Sequence, residues 1–349
     1  MTSMTRPAPA ELGFSMPAEW APHQATWISW PHNPETWPGV LEEAEAAMTA
    51  AVHALASGET VRLNVLDADH EARVRARLGA VAQAPAVVLH RFPTNDAWCR
   101  DHGAIFVRDD VGRLAAVDCG FNAWGGKYPP WELDDAIPAQ MAQALGLARF
   151  AGGLVLEGGS IDVNGAGAVL TTEQCLLNEN RNPVLSRADI ERRLGLLFGV
   201  RQVLWLGDGI VGDDTDGHID DITRFVAEDA VVTVVEPDRD DPNHAPLAEN
   251  LERLHAMRLL DGRPLRIIEL PMPAPLERDG ERLPASYGNF YIGNEVVLLP
   301  AFGQTGDRKA AEILAPCFPG RRIVPIRANE LVVGLGAFHC LTQQVPAAA

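Results

Sequence analysis

Near the C-terminal end, the segment Gly334-Leu335-Gly336-Ala337-Phe338-His339-Cys340-Leu341-Thr342-Gln343-Gln344 sets a cysteine beside a histidine, with glycines before and polar side chains after. Glycines let a backbone approach a ligand closely, and polar neighbours can hold a thiolate. These features separate Cys340 from Cys119, Cys175 and Cys317, whose surroundings suit inert, small apolar residues. Three other segments carry what such a thiol would need: Trp98-Cys99-Arg100-Asp101, Leu156-Glu157-Gly158-Gly159-Ser160 and Gly217-His218-Ile219-Asp220. A thiol, an imidazole and three carboxylates can hold a guanidinium and attack its central carbon. That cation is planar and presents five donors in a fork. Carboxylates on two or more sides bind it bidentately and fix its plane, leaving the carbon open to a thiolate approaching perpendicular to it. A classical thiol hydrolase needs amide donors around an oxyanion instead, and acidic groups at the reaction centre would oppose it.

Each motif also has a plainer reading. Five aspartates, Asp213, Asp214, Asp216, Asp220 and Asp221, surround His218 in sequence. They would raise its pKa and keep it protonated, as a proton donor requires. A solvated acidic loop and a divalent-cation site are the competing readings. The twelve-residue calcium frame ending in glutamate is missing, because the stretch runs into Ile222-Thr223-Arg224-Phe225. An Arg100-Asp101 dipeptide is most often a surface ion pair of little energetic worth. Here Asn95, Trp98 and His102 flank it, which argues against a plain surface turn. Glu157 ends the apolar run Leu154-Val155-Leu156, so its carboxylate needs a partner, either a bound cation or a buried arginine.

The elements that must position these groups alternate along 349 residues, enough for two ordinary domains or one large repeat-built domain. Strand-like runs bounded by turn residues are 61–66, 86–90, 103–107, 167–172, 230–235 and 295–300. Helical periodicity covers 41–57, 186–197 and 245–260, with Ser186 and Asp189 placed as a cap. The segment Pro271 to Arg282 reads as a loop. Asp101, Glu157, His218, Asn289 and Cys340 follow one another at gaps of 56, 61, 71 and 51 residues, each in a turn beside a strand-like run. Such recurrence suggests repeated βαβ-type units, each lending one loop to a shared centre. Two unrelated α/β domains remain the alternative on spacing alone.

With 47% hydrophobic residues the chain has ample material for a core, and its formal charge of −18 repels nucleic acid and anionic membrane while favouring cationic small molecules. Solubility alone also accounts for an acidic surface. No run approaches the roughly 18 apolar residues of a membrane span, and residues 1–10 lack the apolar core of a signal peptide. The five cysteines are scattered and form no C-x-x-C pair. Neither a zinc knuckle nor a disulfide framework is indicated, and a reducing cytosol fits. No cofactor or metal is called for, and a homo-oligomer stays open.

Further motifs run in order through the chain: Met16-Pro17-Ala18-Glu19-Trp20, Trp27-Ile28-Ser29-Trp30-Pro31, Asn95 to Asp101, Phe121-Asn122-Ala123-Trp124-Gly125-Gly126, Leu177 to Pro183, Gly217 to Asp221 and Ala285 to Phe290. Together with the Glu157 and Cys340 segments they resemble the agmatine deiminase family, which includes the bacterial Porphyromonas-type peptidylarginine deiminases. The resemblance implies a pentein α/β-propeller, five ββαβ units around a pseudo-fivefold axis, as a single domain over residues 1–349. It implies Cys340 as nucleophile and His218 as general acid/base. Asp101, Glu157 and Asp220 would be the carboxylates on the guanidinium, Asn289 a supporting polar group and Trp98 a wall for the substrate's alkyl chain. Two stretches depart from the family pattern: Leu335, Ala337 and Phe338 replace the usual Gly, Asn and Ile, and Gly103-Ala104 replaces Gly-Pro. Both leave the catalytic set in place and alter the pocket lining.

The reading is a cytosolic, metal-free deiminase of agmatine giving N-carbamoylputrescine. The acidic run Asp213 to Asp216, with Asp214 as a substrate-binding residue, suits agmatine's distal ammonium. Arginine or C-terminal peptidyl-arginine is the alternative substrate; its carboxylate would need a cation, for which Lys127 and Arg181 are candidates inside the motifs. A non-catalytic guanidino-compound binding protein is the alternative from another class.

Overall fold

A computed structural model describes residues 7–348 of the chain. Residues 1–6, most of the stretch read as lacking a leader's apolar core, lie outside the described residues.

Five sheets share one topology, in which the first strand is antiparallel to the second and the second is parallel to the third. A parallel connection needs a crossover, and one helix supplies it in each unit. The second sheet is Ile105–Arg108, Leu114–Gly120 and Ala148–Val155, with helix Ile137–Leu145 crossing over. The third is Asp162–Val163, Ala168–Thr172 and Gln202–Leu206, with helix Arg187–Phe198. The fourth is Thr223–Ala227, Ala230–Val235 and Arg266–Pro271, with helix His244–Ala256. The fifth is Tyr291–Ile292, Val296–Ala301 and Arg322–Arg327, with helix Thr305–Leu314.

The first sheet is made by both ends of the chain. Thr342–Pro346 takes its first position, antiparallel to His23–Ser29, with Thr342 opposite Ile28 and Gln344 opposite Thr26. Helix Leu41–Leu55 then crosses to Thr60–Val65, and Val87–Arg91 adds a fourth strand. The ring of five ββαβ units is thus closed by hydrogen bonds between the two ends, and the fold is the pentein α/β-propeller.

The local physics of the elements is plain in helix Arg187–Phe198. Ser186 caps it, accepting from the Asp189 backbone while the Asp189 side chain returns to the Ser186 backbone. Such a cap contributes about 1 kcal/mol. Ile190, Leu194, Leu197 and Phe198 recur at helical spacing and are buried against the third sheet's apolar residues, each stabilising by roughly 1.5–3 kcal/mol. The middle strands are covered on both faces and so read as continuous apolar runs.

Two expectations need correcting. Residues 245–260 are helical only over His244–Ala256. The segment read as a loop is partly structured: Pro271 ends a strand, and Glu277–Arg278 pairs with Glu281–Arg282 as a small hairpin. Its turn, Asp279-Gly280, has both residues at positive φ, the conformation tight hairpins demand.

The recurrence near every sixty residues has a structural basis. Asp101, Glu157, His218, Asn289 and Cys340 each lie a few residues before the first strand of a sheet. Those five entry loops meet at the centre.

Candidate active site

The entry loops are short turns locked to one another by backbone groups. Asp101 sits in the single helical turn Cys99–His102, whose Arg100 N–H donates to the Cys340 carbonyl at 3.1 Å. Glu157 precedes the turn Gly158–Ser160, and the Gly159 N–H donates to Asp101 Oδ1 at 3.0 Å. His218 precedes the turn Ile219–Asp221. Asn289 Oδ1 accepts from the His339 N–H at 3.0 Å, which fixes the Cys340 loop. Each loop therefore helps set its neighbour's position.

Cys340 is buried, with Sγ receiving a hydrogen bond from Asn289 Nδ2 at 3.0 Å and lying 3.6 Å from Asp220 Oδ2. Burial and the Asp220, Asp221 and Asp101 carboxylates push its pKa well above the ordinary thiol value, with Asn289 acting the other way. Asp220 Oδ2 accepts from His339 Nδ1 at 2.6 Å, while its Oδ1 is buried with no hydrogen-bond partner. Burial alone would raise the Asp220 pKa, but His339, His218 and Arg224 bring it below the usual carboxylate value.

Asp101 accepts from Trp124 Nε1 at 3.0 Å on its other oxygen and lies 3.7 Å from His218 Nδ1. Burial pushes it up to about 6. His218 is fully buried and neither ring nitrogen has a hydrogen-bond partner. Burial opposes its charge, yet Asp101, the Cys175 thiol and Asp220 hold its pKa well above the ordinary imidazole value.

The raised pKa matches the sequence reading, but most of the acidic run is not its source. Asp213 caps its own loop, accepting from the Gly217, His218 and Thr215 N–H groups. Asp216 pairs with Lys127 and Arg181. Asp221, unassigned in the sequence, accepts from Asn289 Nδ2 at 3.0 Å. Asp214 lines the cavity and accepts from the Tyr128 hydroxyl, so it is at the outer wall and not at the centre.

Glu157 resolves to the buried-arginine alternative: its Oε1 meets Arg181 Nε at 2.6 Å with both side chains fully buried. Oε2 is buried without a hydrogen-bond partner, and a Glu157 oxygen, Cys175 Sγ and a His218 nitrogen lie within 4.8 Å of one another. Glu157 therefore stands beside the imidazole. Arg181 also binds Asp216, Asn180 Oδ1 and the Thr215 carbonyl, and Lys127 binds Asp216 and the Asp214 carbonyl. The two cations proposed for a substrate carboxylate are thus both engaged by the protein's own groups.

A cavity of about 690 Å³ opens from Cys340 and Asp101, walled by Trp98 and Trp124 and rimmed by Asp96, Asp214 and the hairpin. Trp98 is buried between Trp37 and Trp124, at ring distances of 5.5 and 6.4 Å. Trp124 was given no role from sequence, though the paired glycines after it were the available signal. Ala123, Trp124, Gly125 and Gly126 have φ of 51, 53, 93 and 79°, a left-handed turn that aims the indole at Asp101. Such strain in non-glycine residues costs of order 1–3 kcal/mol and clusters at functional sites.

Two sets of donors approach metal-site separations among the described residues: Glu157, Cys175 and His218, and Asp220, Asp221 and Cys340. In the first, Glu157 already pairs with a guanidinium. In the second, Asn289 bridges Asp221 and Cys340 while His339 holds Asp220. Among these groups Glu157 Oε2 and Asp220 Oδ1 are buried acceptors without a hydrogen-bond partner.

Residues 15–346 match the Porphyromonas-type peptidyl-arginine deiminase family. The agmatine deiminase of Ectopseudomonas mendocina (strain ymp) is 39% identical over 370 aligned residues, covering 99% of both chains. Among solved structures, the agmatine deiminase of Enterococcus faecalis superposes with a TM-score of 0.94 at 34% identity and covers 99% of each chain. A serine variant of C. jejuni agmatine deiminase with substrate bound gives 0.86 at 32% identity, covering 96% of this chain and 97% of that one.

Proposed function

The chain belongs to the Porphyromonas-type peptidyl-arginine deiminase family, and from that premise we propose that it hydrolyses agmatine to N-carbamoylputrescine and ammonia. The observation that carries the reading is the Cys340 thiol, 3.6 Å from Asp220 at the inner end of an acid-lined cavity that Asp101 also lines. Curated relatives and several of the solved structures similar over nearly the full chain are named agmatine deiminases.

In the proposed mechanism Asp220 Oδ1 and Asp101 take the guanidinium N–H groups, and Trp98 and Trp124 flank the alkyl chain. The bound cation offsets the carboxylates that burden Cys340, so the thiol proton is released and the sulfur attacks the central carbon. His218, charged in the resting site, protonates one amino group, and ammonia leaves an amidino-cysteine. His218 then takes a proton from water, whose oxygen adds to the carbon. The C–S bond breaks as the adduct's hydroxyl proton passes to the sulfur, releasing the neutral ureido product and restoring the thiol, while the proton first given up by Cys340 leaves with ammonia as ammonium. Glu157, beside the ring, stabilises the imidazolium in both half-reactions. Asn289 holds the sulfur through its amide, and Asp214 at the outer wall receives the distal ammonium.

We also propose one domain over residues 1–349 and a cytosolic setting. All five cysteines are free thiols. Among the described residues no helix is long and apolar enough to cross a membrane.

The test is ammonia release from agmatine, arginine, guanidinobutyrate and a C-terminal arginine peptide, measured side by side for the native chain and for Cys340→Ala. Agmatine should give the highest kcat/KM, and the alanine variant should lose about four decades or more. Residual turnover near native in C340A would remove the covalent mechanism. Arginine or the peptide leading would move the substrate, not the chemistry; Arg278 on the cavity rim is the cation to examine then.

A further inference from the structure

The histidine next to the nucleophile does not line the cavity, and its contacts give it a different task. His339 Nδ1 donates to Asp220 Oδ2 at 2.6 Å and Nε2 to Glu19 Oε2 at 2.8 Å. A ring that meets a carboxylate oxygen at each nitrogen carries a hydrogen on both. We propose that His339, braced by Glu19, is a positioning residue that holds the Asp220 carboxylate ionised and turned so that Oδ1 faces the guanidinium. The inference rests on the deiminase reading above.

Glu19 is suited to that bracing because it is itself held from several sides. Its Oε2 meets Arg224 Nη2 at 2.9 Å and Arg100 Nη2 at 3.2 Å, and Oε1 accepts from the Ile292 N–H at 2.9 Å. Arg100, one residue before Asp101, also donates to Gln344 at 2.7 Å and to the His339 carbonyl at 3.3 Å. Arg224 pairs with Asp162 at 2.6 Å. Arg100, Arg224 and His339 against Glu19, Asp162 and Asp220 make a buried layer whose formal charges balance, drawn from four of the five units of the ring. A buried charge is tolerated only when paired and hydrogen-bonded. Asp220 belongs to this layer through one oxygen, and its other oxygen is buried without a partner in the protein, free for the substrate of the proposed mechanism.

The groups facing Asp220 are His339, His218 and Arg224 on the cationic side, with Cys340, Asp221 and Asp101 opposing. Without the His339 ring, Asp220 loses its hydrogen bond and its nearest cation. It should then take up a proton at higher pH and turn away from the cavity. Loss of one hydrogen bond to a charged group corresponds to about 10–100-fold in substrate capture.

Kinetics of His339→Gln, His339→Asn and Glu19→Gln with agmatine test this, each variant counted by titration of reactive thiol. H339Q should raise KM by about 10–100-fold and move the acid limb of kcat/KM to higher pH, since Asp220 must be ionised to bind. H339N should recover part of the loss, because its amide nitrogen falls near the Nδ1 position. E19Q should shift the same limb by less. A merely structural role would lower the titratable fraction and leave KM and the pH profile of the active fraction native, and that result overturns the proposal. Native enzyme without deiminase activity would remove both readings, whereas native activity with an unchanged H339Q profile would remove this one alone.

Discussion

At the scale of single residues, the site is a set of groups whose pKa values are displaced in opposite senses by shared burial. Asp101 is pushed up to about 6, chiefly by burial, while Asp220 is kept low by His339, His218 and Arg224. The two carboxylates proposed to hold the guanidinium thus differ in when they become charged. Only the ionised form of Asp101 accepts the cation. Its protonation should therefore make kcat/KM decline as pH falls through about 6, with Trp124→Phe moving that limb upward because the indole N–H stabilises the anion. A pH profile flat from 5 to 8 in both enzymes would count against Asp101 as a substrate carboxylate. Much of this chemistry was legible in sequence, because a cysteine in a glycine-rich stretch and a histidine among aspartates are uncommon outside sites. The partners of each group were not. For Glu157 the sequence leaves a bound cation and a buried arginine both open, and it does not reveal that Arg181, 24 residues on, meets its Oε1. Cys175, read as inert, is fully buried with its thiol pKa pushed up by burial, but its place within 4.8 Å of His218 was not legible.

The elements explain why the groups converge. Asp101, Glu157, His218, Asn289 and Cys340 each lie in a turn entering the first strand of a sheet, and those strands are short: Asp162–Val163 and Tyr291–Ile292 have two residues each. Short or polar strands such as Thr342–Pro346 carry no alternating apolar pattern, so periodicity misses them while finding the fully buried middle strands. The loops, by contrast, are crowded enough to require glycine. A Cβ on Gly159 would lie 2.6 Å from His218 Nδ1, 2.7 Å from Asp101 Oδ1 and 3.1 Å from Asp220 Oδ2. All three would have to move, and a shift of about 1 Å at a reacting centre can cost on the order of 100-fold. Gly159→Ala should accordingly lose about two decades in kcat. The displaced atoms are side-chain ends and not backbone, so its thermal midpoint should stay within a few degrees of native. An alanine variant with native kcat would mean that these three side chains are less closely convergent than the structure has them.

The whole molecule adds a long-range term that no loop supplies. A formal charge of −18 surrounds a cavity whose wall and rim carry Glu35, Asp96, Asp214, Asp279 and Glu281 against Lys127 and Arg278. Such a field concentrates cations at the mouth and raises their encounter rate, by about 10-fold or more at low salt. Salt shortens its reach from about 30 Å at 0.01 M to about 3 Å at 1 M. Agmatine carries a guanidinium and an ammonium, so it feels the field twice. Guanidinobutyrate carries the same guanidinium with a carboxylate at its far end. Raising sodium chloride from 0.01 to 0.5 M should therefore lower kcat/KM for agmatine by about 10-fold, while kcat stays nearly constant. The same series should change guanidinobutyrate little or improve it. Equal salt slopes for the two compounds would show that the acidic charge serves solubility alone, and that agmatine's far end is recognised, if at all, only by contact with groups such as Asp214.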